Sequence, residues 1–418
     1  MTQTFPATRA HGLAALQAFV PAMGHRYANG RNYDHGAKGH KAVSVLSPYI
    51  RRRLITEQEV VAAAMQAHGP ENAGKFIEEV IWRGYFKGWL ERRPQVWTSY
   101  TTGLGADLAA LDRDRRLRRD VTRAMDGQTG LECFDVWAEE LVDTGYLHNH
   151  ARMWFASIWI FTLGLPWRLG ADFFYRHLLD GDAASNTLGW RWVAGLHTRG
   201  KPYPATAMNI ATFTNGRFSP RDSDLAEGIE GLEATEPDGL PPVQPLRSHC
   251  APVAGRSTAL LITDEDCRIE DFDLAGLDIR STATLAASQL RSLLDVSDAV
   301  KGFEAGALDD AAARAGASPV RLRADHPEIL ADWAAASGAQ QIVTPWITRG
   351  PLQDWMEEAA PSLAARGIAL CEWRRDWDSA IWPHATAGFF KVKQQIPRIL
   401  DELDPGKVMA FGWDQTLD

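Results

Sequence analysis

Between Leu178 and Trp192 the chain reads LLDGDAASNTLGWRW, which sets two carboxylates, an amide and two indoles in a stretch too apolar for a surface loop. Asp180 and Asp182 around Gly181 have calcium-loop chemistry, but the regular acid positions of such a loop are missing, and a helix N-cap uses the same residues. His148-x-His150, with Asp180 and Asp182 as further ligands, resembles a metal pair; at a helix start, however, the two imidazoles point to different faces. Phe76, Glu79, Trp82, Arg83 and Phe86 share one broad helical face, an aromatic stripe containing an acid and a base. Either charge is costly to bury alone, and the spacing suits an i,i+4 pair between Glu79 and Arg83. Asn149 and Arg152, then Met153 and Ala156, recur at three on a helix that begins near His148, and an arginine one turn into an apolar helix wants an anion. Ser44, Ser47 and Pro48 open another helix, whose first N–H groups form an anion site or simply an ordinary cap.

The elements that position these residues read as two halves. Over residues 1–218 the pattern is helical: ITEQEVVAAAMQAHG carries a Thr56/Glu59 capping box, ENAGKFIEEVIWRGYFKGWLERR repeats apolar residues at three and four, and no strand is evident. Residues 219–257 are rich in Pro, Gly and acids, a linker or long wrapping loop. From 258 to 404 the β-branched runs STALLITD, SPVRLRA, AQQIVTPW and GIALCEW alternate with helical stretches, which predicts a doubly wound parallel α/β (Rossmann-like) domain. Residues 405–418 read as a C-terminal tail. The expected fold is therefore multidomain α and α/β, with the all-helical domain first. Neither G-x-G-x-x-G nor G-x-x-x-x-G-K-[ST] occurs in the second half.

Sixteen tryptophans make buried bulk or aromatic surfaces for flat ligands. Cys133, Cys250, Cys267 and Cys371 lie far apart without C-x-x-C, which signals neither zinc nor an iron–sulfur cluster, and a reduced, cytoplasmic setting is expected. The N-terminus lacks a signal-peptide pattern, and Met153–Trp167, the most apolar run, is short of a membrane span and reads as a buried helix. Residues 1–220 hold 26 Lys and Arg against 20 Asp and Glu, the remainder 18 against 33. A mildly basic first half suits a phosphate-bearing partner; the acidic second half repels one.

In order, SVLSPYI, EEVIWRGYF, TGYLHNHARM and LPWRLGADFFYRHLLDGDAASNTLGWRW resemble the FAD-binding helical domain of the photolyase/cryptochrome family over residues 20 to 218. The resemblance implies that Tyr27, Ser44 and Ser47 hold the flavin phosphates and ribitol, with Val43 in place of a usual Thr, and that Phe76, Glu79 and Arg83 line the flavin. It sets Asn149 and Arg152 beside the isoalloxazine, pairs Arg152 with Asp180, gives Asp182 the N3–H or ribityl contacts, and faces Asn186 toward N5. Charge or dipole then stands at each polar edge of a flat, apolar cofactor. Glu79, Trp82, Asn149, Met153 and Trp192 fall at lesion-contacting positions, Trp82 and Trp192 clasping flipped bases. Trp190 and Trp167 match the inner members of an electron-transfer chain; its outer member falls in DRDRRLRRDV, which has no aromatic, so Trp137, Trp154 and Trp159 become candidates for the exit. His150 stands where cyclobutane-dimer enzymes often carry Arg, which keeps the (6-4) lesion open as a substrate.

LLITDEDCRIEDFDLAGL and GIALCEWRRDWDSAIW resemble parts of the family's α/β antenna domain, which comes first in the family and last here, as if circularly permuted; an unrelated α/β domain is the alternative. The implied function is light-driven repair of UV-induced pyrimidine dimers by electron transfer from excited reduced FAD. The alternative is a cryptochrome-like blue-light receptor. The implied partner is UV-damaged DNA, with single-stranded substrates suited to the acidic net charge; no membrane is involved, a monomer is expected, and any second, antenna chromophore is of unidentified type.

Overall fold

The computed structural model describes residues 5–37 and 39–403, so the expected tail over 405–418 lies outside the described residues. Thr56 caps the long helix Glu57–Glu91: its hydroxyl accepts from the Glu59 N–H while Glu59 accepts from the Thr56 N–H. This is the anticipated capping box. Gly69, at φ 72, with Pro70 behind it, breaks the element into the two helical runs read from sequence, because a left-handed residue cannot continue the turn. Helices Asn149–Ser157, Trp167–His177 and Ala183–Val193 pack together, and Ala183–Val193 also packs onto the long helix. No strand occurs among the described residues up to 218.

One expectation is corrected at the helix Ser47–Arg51. Its N-cap is Leu46, with no side-chain cap, because Val45 sits in the left-handed region (φ 51) and turns the chain before either serine reaches the cap. The Ser44 hydroxyl instead accepts from the Leu46 N–H at 3.4 Å.

The second half forms a five-stranded parallel sheet of order β3-β2-β1-β4-β5, with β1 Ser257–Thr263, β2 Asp278–Ala286, β3 Val320–Arg323, β4 Gln341–Pro345 and β5 Ala369–Trp373. Helices Asp298–Arg314, Glu328–Ala336 and Pro351–Ala365 make the crossovers. The sheet is doubly wound, as expected, and holds one strand more than the four runs read from sequence. In β2 the first five residues are exposed or half-buried, so it lacks the continuous apolar run of a buried parallel strand.

The 219–257 stretch is a strap rather than a free linker. Arg191, at 1 % exposure, forks onto Glu236 at 2.5 and 2.7 Å; Arg93 donates to the Pro241 carbonyl; Gln244 N–H donates to the Arg92 carbonyl at 2.7 Å. Further on, Cys250 lies beside β5 and its Sγ is 2.9 Å from that of Cys371, so two of the four cysteines meet despite their spacing in sequence.

The halves are locked by charge. Arg51, Arg52 and Arg53 follow one another past the Ser47 helix start and face Asp264, Glu265 and Asp266, which follow β1: Arg51 reaches Glu265 at 2.7 Å, Arg52 lies 3.4 Å from Asp264, and Arg53 meets Asp266 at 3.2 Å and Asp378 at 2.7 Å. These arginines occupy the carboxyl ends of the strands near the β1/β4 switch point, where doubly wound sheets commonly take ligands. No helix among the described residues is long and apolar enough to cross a membrane.

Candidate functional site

A cavity of about 920 Å³ opens in the helical half, lined by the loop before Ser47, the second run of Glu57–Glu91, and the helices Asn149–Ser157 and Ala183–Val193. Tyr27, Ser44, Ser47, Phe76, Glu79, Trp82, Arg83, Asn149, Arg152, Met153, Asp180, Asp182, Asn186, Trp190 and Trp192 all line it. Residues from five separate sequence segments are thus brought to one volume.

His148 is the N-cap of its helix, its ring Nδ1 accepting from the His150 N–H, and this sets Asn149, Arg152 and Met153 on the cavity side. The His150 ring turns away to the Asn32 carbonyl (2.9 Å) and the Tyr203 hydroxyl (3.2 Å), so the two imidazoles do separate to different partners. Arg152 donates from Nη2 to Asp180 at 2.9 Å and from Nε to the Leu147 carbonyl at 2.8 Å. Burial works to raise the Asp180 carboxyl, but Arg152 beside it outweighs burial and holds it below the usual range. Asp182 caps the Ala183–Val193 helix through the Ser185 N–H at 2.8 Å; against burial, Lys87 at 3.8 Å and the nearby Arg51 and Arg83 bring its pKa down to about 2. The Asp-Gly-Asp stretch is therefore a cap and an ion-pair corner. Asn186 is held by donation from Nδ2 to the Ala171 carbonyl at 2.8 Å.

Glu79 does not pair with Arg83. Arg31, the C-cap of the short helix His25–Gly30, reaches Glu79 at 2.5 Å, and Lys75 stands 3.7 Å away. Arg83 instead acts on the buried carboxylates Glu57, Asp180 and Asp182, each of which it helps keep ionised. The helical face alone predicted the wrong partner because an acid and a base at i,i+4 each meet stronger partners from outside the helix.

Trp190 lies among Phe155 (6.5 Å between centroids), Phe174 (5.1 Å) and Trp159 (6.3 Å, edge-on). Trp167 is buried outside the cavity lining, against Tyr100 at 5.8 Å, and among the described residues no ring contact joins it to Trp190. Trp137 and Trp154 stack on each other at 5.5 Å, and Trp137 donates to Asp34 at 3.0 Å. Arg31, Tyr146, His197 and Phe389 are among the lining residues that escaped the sequence reading. Arg31 stands four residues after Tyr27 and was findable by helical spacing; Tyr146, His197 and Phe389 carried no local signal.

The cavity's chemistry fits a flat cofactor with polar edges. Asp180 Oδ1, Arg83 Nε and Trp190 Nε1 are buried with no hydrogen-bond partner in the protein, and all three residues line the volume. Buried polar atoms are rarely left orphaned, so an acceptor and two donors here await a bound group. Phe76, Trp190 and Trp82 supply apolar area beside them.

A family model described as the FAD binding domain of DNA photolyase matches residues 76–219. A deoxyribodipyrimidine photo-lyase of Thermus thermophilus is 34% identical over 199 residues, 46% of this chain and 43% of that one. One of Streptomyces griseus is 33% identical over 162 residues, 38% of this chain and 34% of that one. The chain thus spans less than half the length of either relative. A crystal structure of a bacterial class III photolyase from Agrobacterium tumefaciens is similar at 25% identity and a TM-score of 0.42, covering 50% of this chain and 43% of that one. Residues 76–219 are a FAD binding domain of the DNA photolyase type, FAD is the cofactor that this domain takes, and the similarity to photolyases extends over about half of the chain.

Proposed function

We propose that the protein is a light-driven DNA repair flavoprotein that splits UV-induced pyrimidine dimers. The observation that carries this reading is that Glu79, Trp82, Asn149, Met153 and Trp192 line the same cavity as the flavin-facing set Tyr27, Ser44, Ser47, Phe76, Arg83, Arg152, Asp180, Asp182 and Asn186. When bound and reduced, FAD supplies the excited-state electron that starts dimer splitting.

The chain's own residues do the remaining work. Arg152 and Asp180 hold each other and present a charged edge to the cofactor, while Asn186, fixed by the Ala171 carbonyl, presents an amide. Glu79, held by Arg31, stays in place to accept a hydrogen bond from a damaged base. Trp82 and Trp192 offer stacking faces to bases turned out of a DNA strand, Trp192 being braced by Tyr203 at 5.2 Å. We further read the C-terminal sheet as an antenna-like domain moved behind the helical one; its parallel, doubly wound order supports this.

The second reading is a cryptochrome-like blue-light receptor. It is favoured by one observation: a phenylalanine of the chain itself covers Trp82. The test is illumination of the purified, chemically reduced flavoprotein with a dimer-containing oligonucleotide, followed by counting intact dimers. Light-dependent loss of dimers is expected. Full flavin reduction with dimers unchanged leaves the receptor reading standing, and purification without flavin overturns the cofactor assignment.

A further inference from the structure

Phe389 comes from the segment after the sheet, three hundred residues from Trp82, yet its ring lies parallel to the indole at 3.8 Å between centroids and 14° between planes. That is the geometry of a base stacked on an aromatic platform. Tyr85 (5.2 Å, edge-on) and Phe86 (5.3 Å, tilted) pack around the same indole. Gly388 and Phe389 both line the cavity. We infer that Phe389 is a gate residue that occupies the stacking face of Trp82 in place of a planar ligand, and so decides which substrates enter. This rests on the repair reading only for the identity of the ligand, a flipped pyrimidine dimer.

The segment is anchored by the buried Ala385 and Val392 on either side of Phe389, with three polar contacts beside them. The Tyr85 hydroxyl donates to the Ala387 carbonyl at 2.9 Å, Arg93 donates to the Thr386 carbonyl at 2.8 Å, and Lys393 pairs with Glu78 at 2.7 Å while half-exposed. Of these polar contacts the Arg93 bond is charge-assisted, while the half-exposed ion pair is weak and screened by salt. Ala387 and Gly388 precede the ring, and nothing lies within 4 Å of a Cβ built on Gly388, so open space adjoins the ring on that side. Phe390 stands beside the gate at 68 % exposure. A planar base that stacks on Trp82 displaces Phe389 and recovers an equivalent contact, whereas a base that cannot leave its own stack does not.

The test uses the flavin-loaded full chain in the dark, with Phe389→Ala and Phe389→Trp. Binding of a single-stranded oligonucleotide carrying one cyclobutane dimer is compared with its undamaged twin by fluorescence anisotropy. Phe389→Ala is expected to bind the dimer strand about tenfold more tightly than the parent, the order of one base stack. Phe389→Trp is expected to bind it no more tightly. Where the parent prefers the dimer strand, equal or weaker binding of that strand by Phe389→Ala overturns the gate. A second readout needs no DNA: acrylamide quenching of the Trp82 signal, isolated by subtracting matched Trp82→Phe proteins, rises when Phe389 is Ala. Unchanged quenching overturns the gate even if binding changes. If neither protein prefers the dimer strand, the repair reading fails, and the quenching result decides the gate by itself. Equal flavin content in all variants confirms that they fold.

Discussion

Asp180 and Asp182 show how two neighbouring acids in one stretch take different work. Asp180 faces Arg152 and keeps one oxygen unpartnered; Asp182 spends its oxygens on a cap and on Lys87. Replacing Asp180 with Ala leaves the Arg152 charge without its partner beside the cofactor, and flavin affinity is expected to fall at least tenfold, read as FAD lost on gel filtration. His197, half-buried in the cavity lining, meets the Tyr85 hydroxyl at 3.2 Å, and burial, with Arg191 and Arg93 nearby, pushes its pKa down to about 4. His177 is likewise pushed to about 4 by burial and Arg176. In the unfolded chain both titrate near 6.5, so between about pH 6.5 and 4 the unfolded state binds more protons. Stability should therefore fall as pH drops through that window. Thermal unfolding followed from pH 7 to pH 4 should show a shallower decline in His197→Gln than in the parent.

At the scale of elements, Arg191 explains the strap. Lying between two cavity tryptophans in sequence, it turns to the opposite side of its helix and pins residue 236 of the 219–257 stretch through both guanidinium nitrogens. Glu236→Ala leaves a guanidinium unpaired at 2 % side-chain exposure, a change that costs about 3 kcal/mol or more. The expected outcome is a lowered Tm together with tryptic cleavage inside 219–257, where the parent is resistant; equal cleavage of both proteins would count against the pin. The close approach of Gly88 to Trp382 shows the same dependence on a distant segment, since a Cβ there would meet the indole at 2.6 Å.

For the whole molecule, the consecutive arginines 51–53 and acids 264–266 make the two halves one electrostatic unit. Arg53 alone serves Glu57, Asp266 and Asp378, all buried. Arg53→Met leaves Asp378 and Glu57 without their closest cation and is expected to cost about 3–5 kcal/mol. Calorimetry should show the parent melting in a single transition, with the variant's Tm lowered and almost indifferent to added salt, because a pair this deep is little screened.

What the sequence determined by itself is what local physics dictates. The capping box at Thr56, the break at Gly69-Pro70, the apolar period of the helices and the β-branched runs were legible because each depends on residues within a few positions of one another. The residue set of the cavity was legible only through the resemblance of its motifs, taken together, to the photolyase/cryptochrome family, since each motif by itself reads as ordinary structure. Tertiary structure decided the rest: that Glu79 belongs to Arg31, that Arg191 holds the strap, that β2 is a strand, that Cys250 meets Cys371, and that Phe389 covers Trp82. Each of these is a contact between segments far apart in the chain, where partner choice follows from packing and from the cost of leaving a buried charge or ring uncovered, and no local spacing records it.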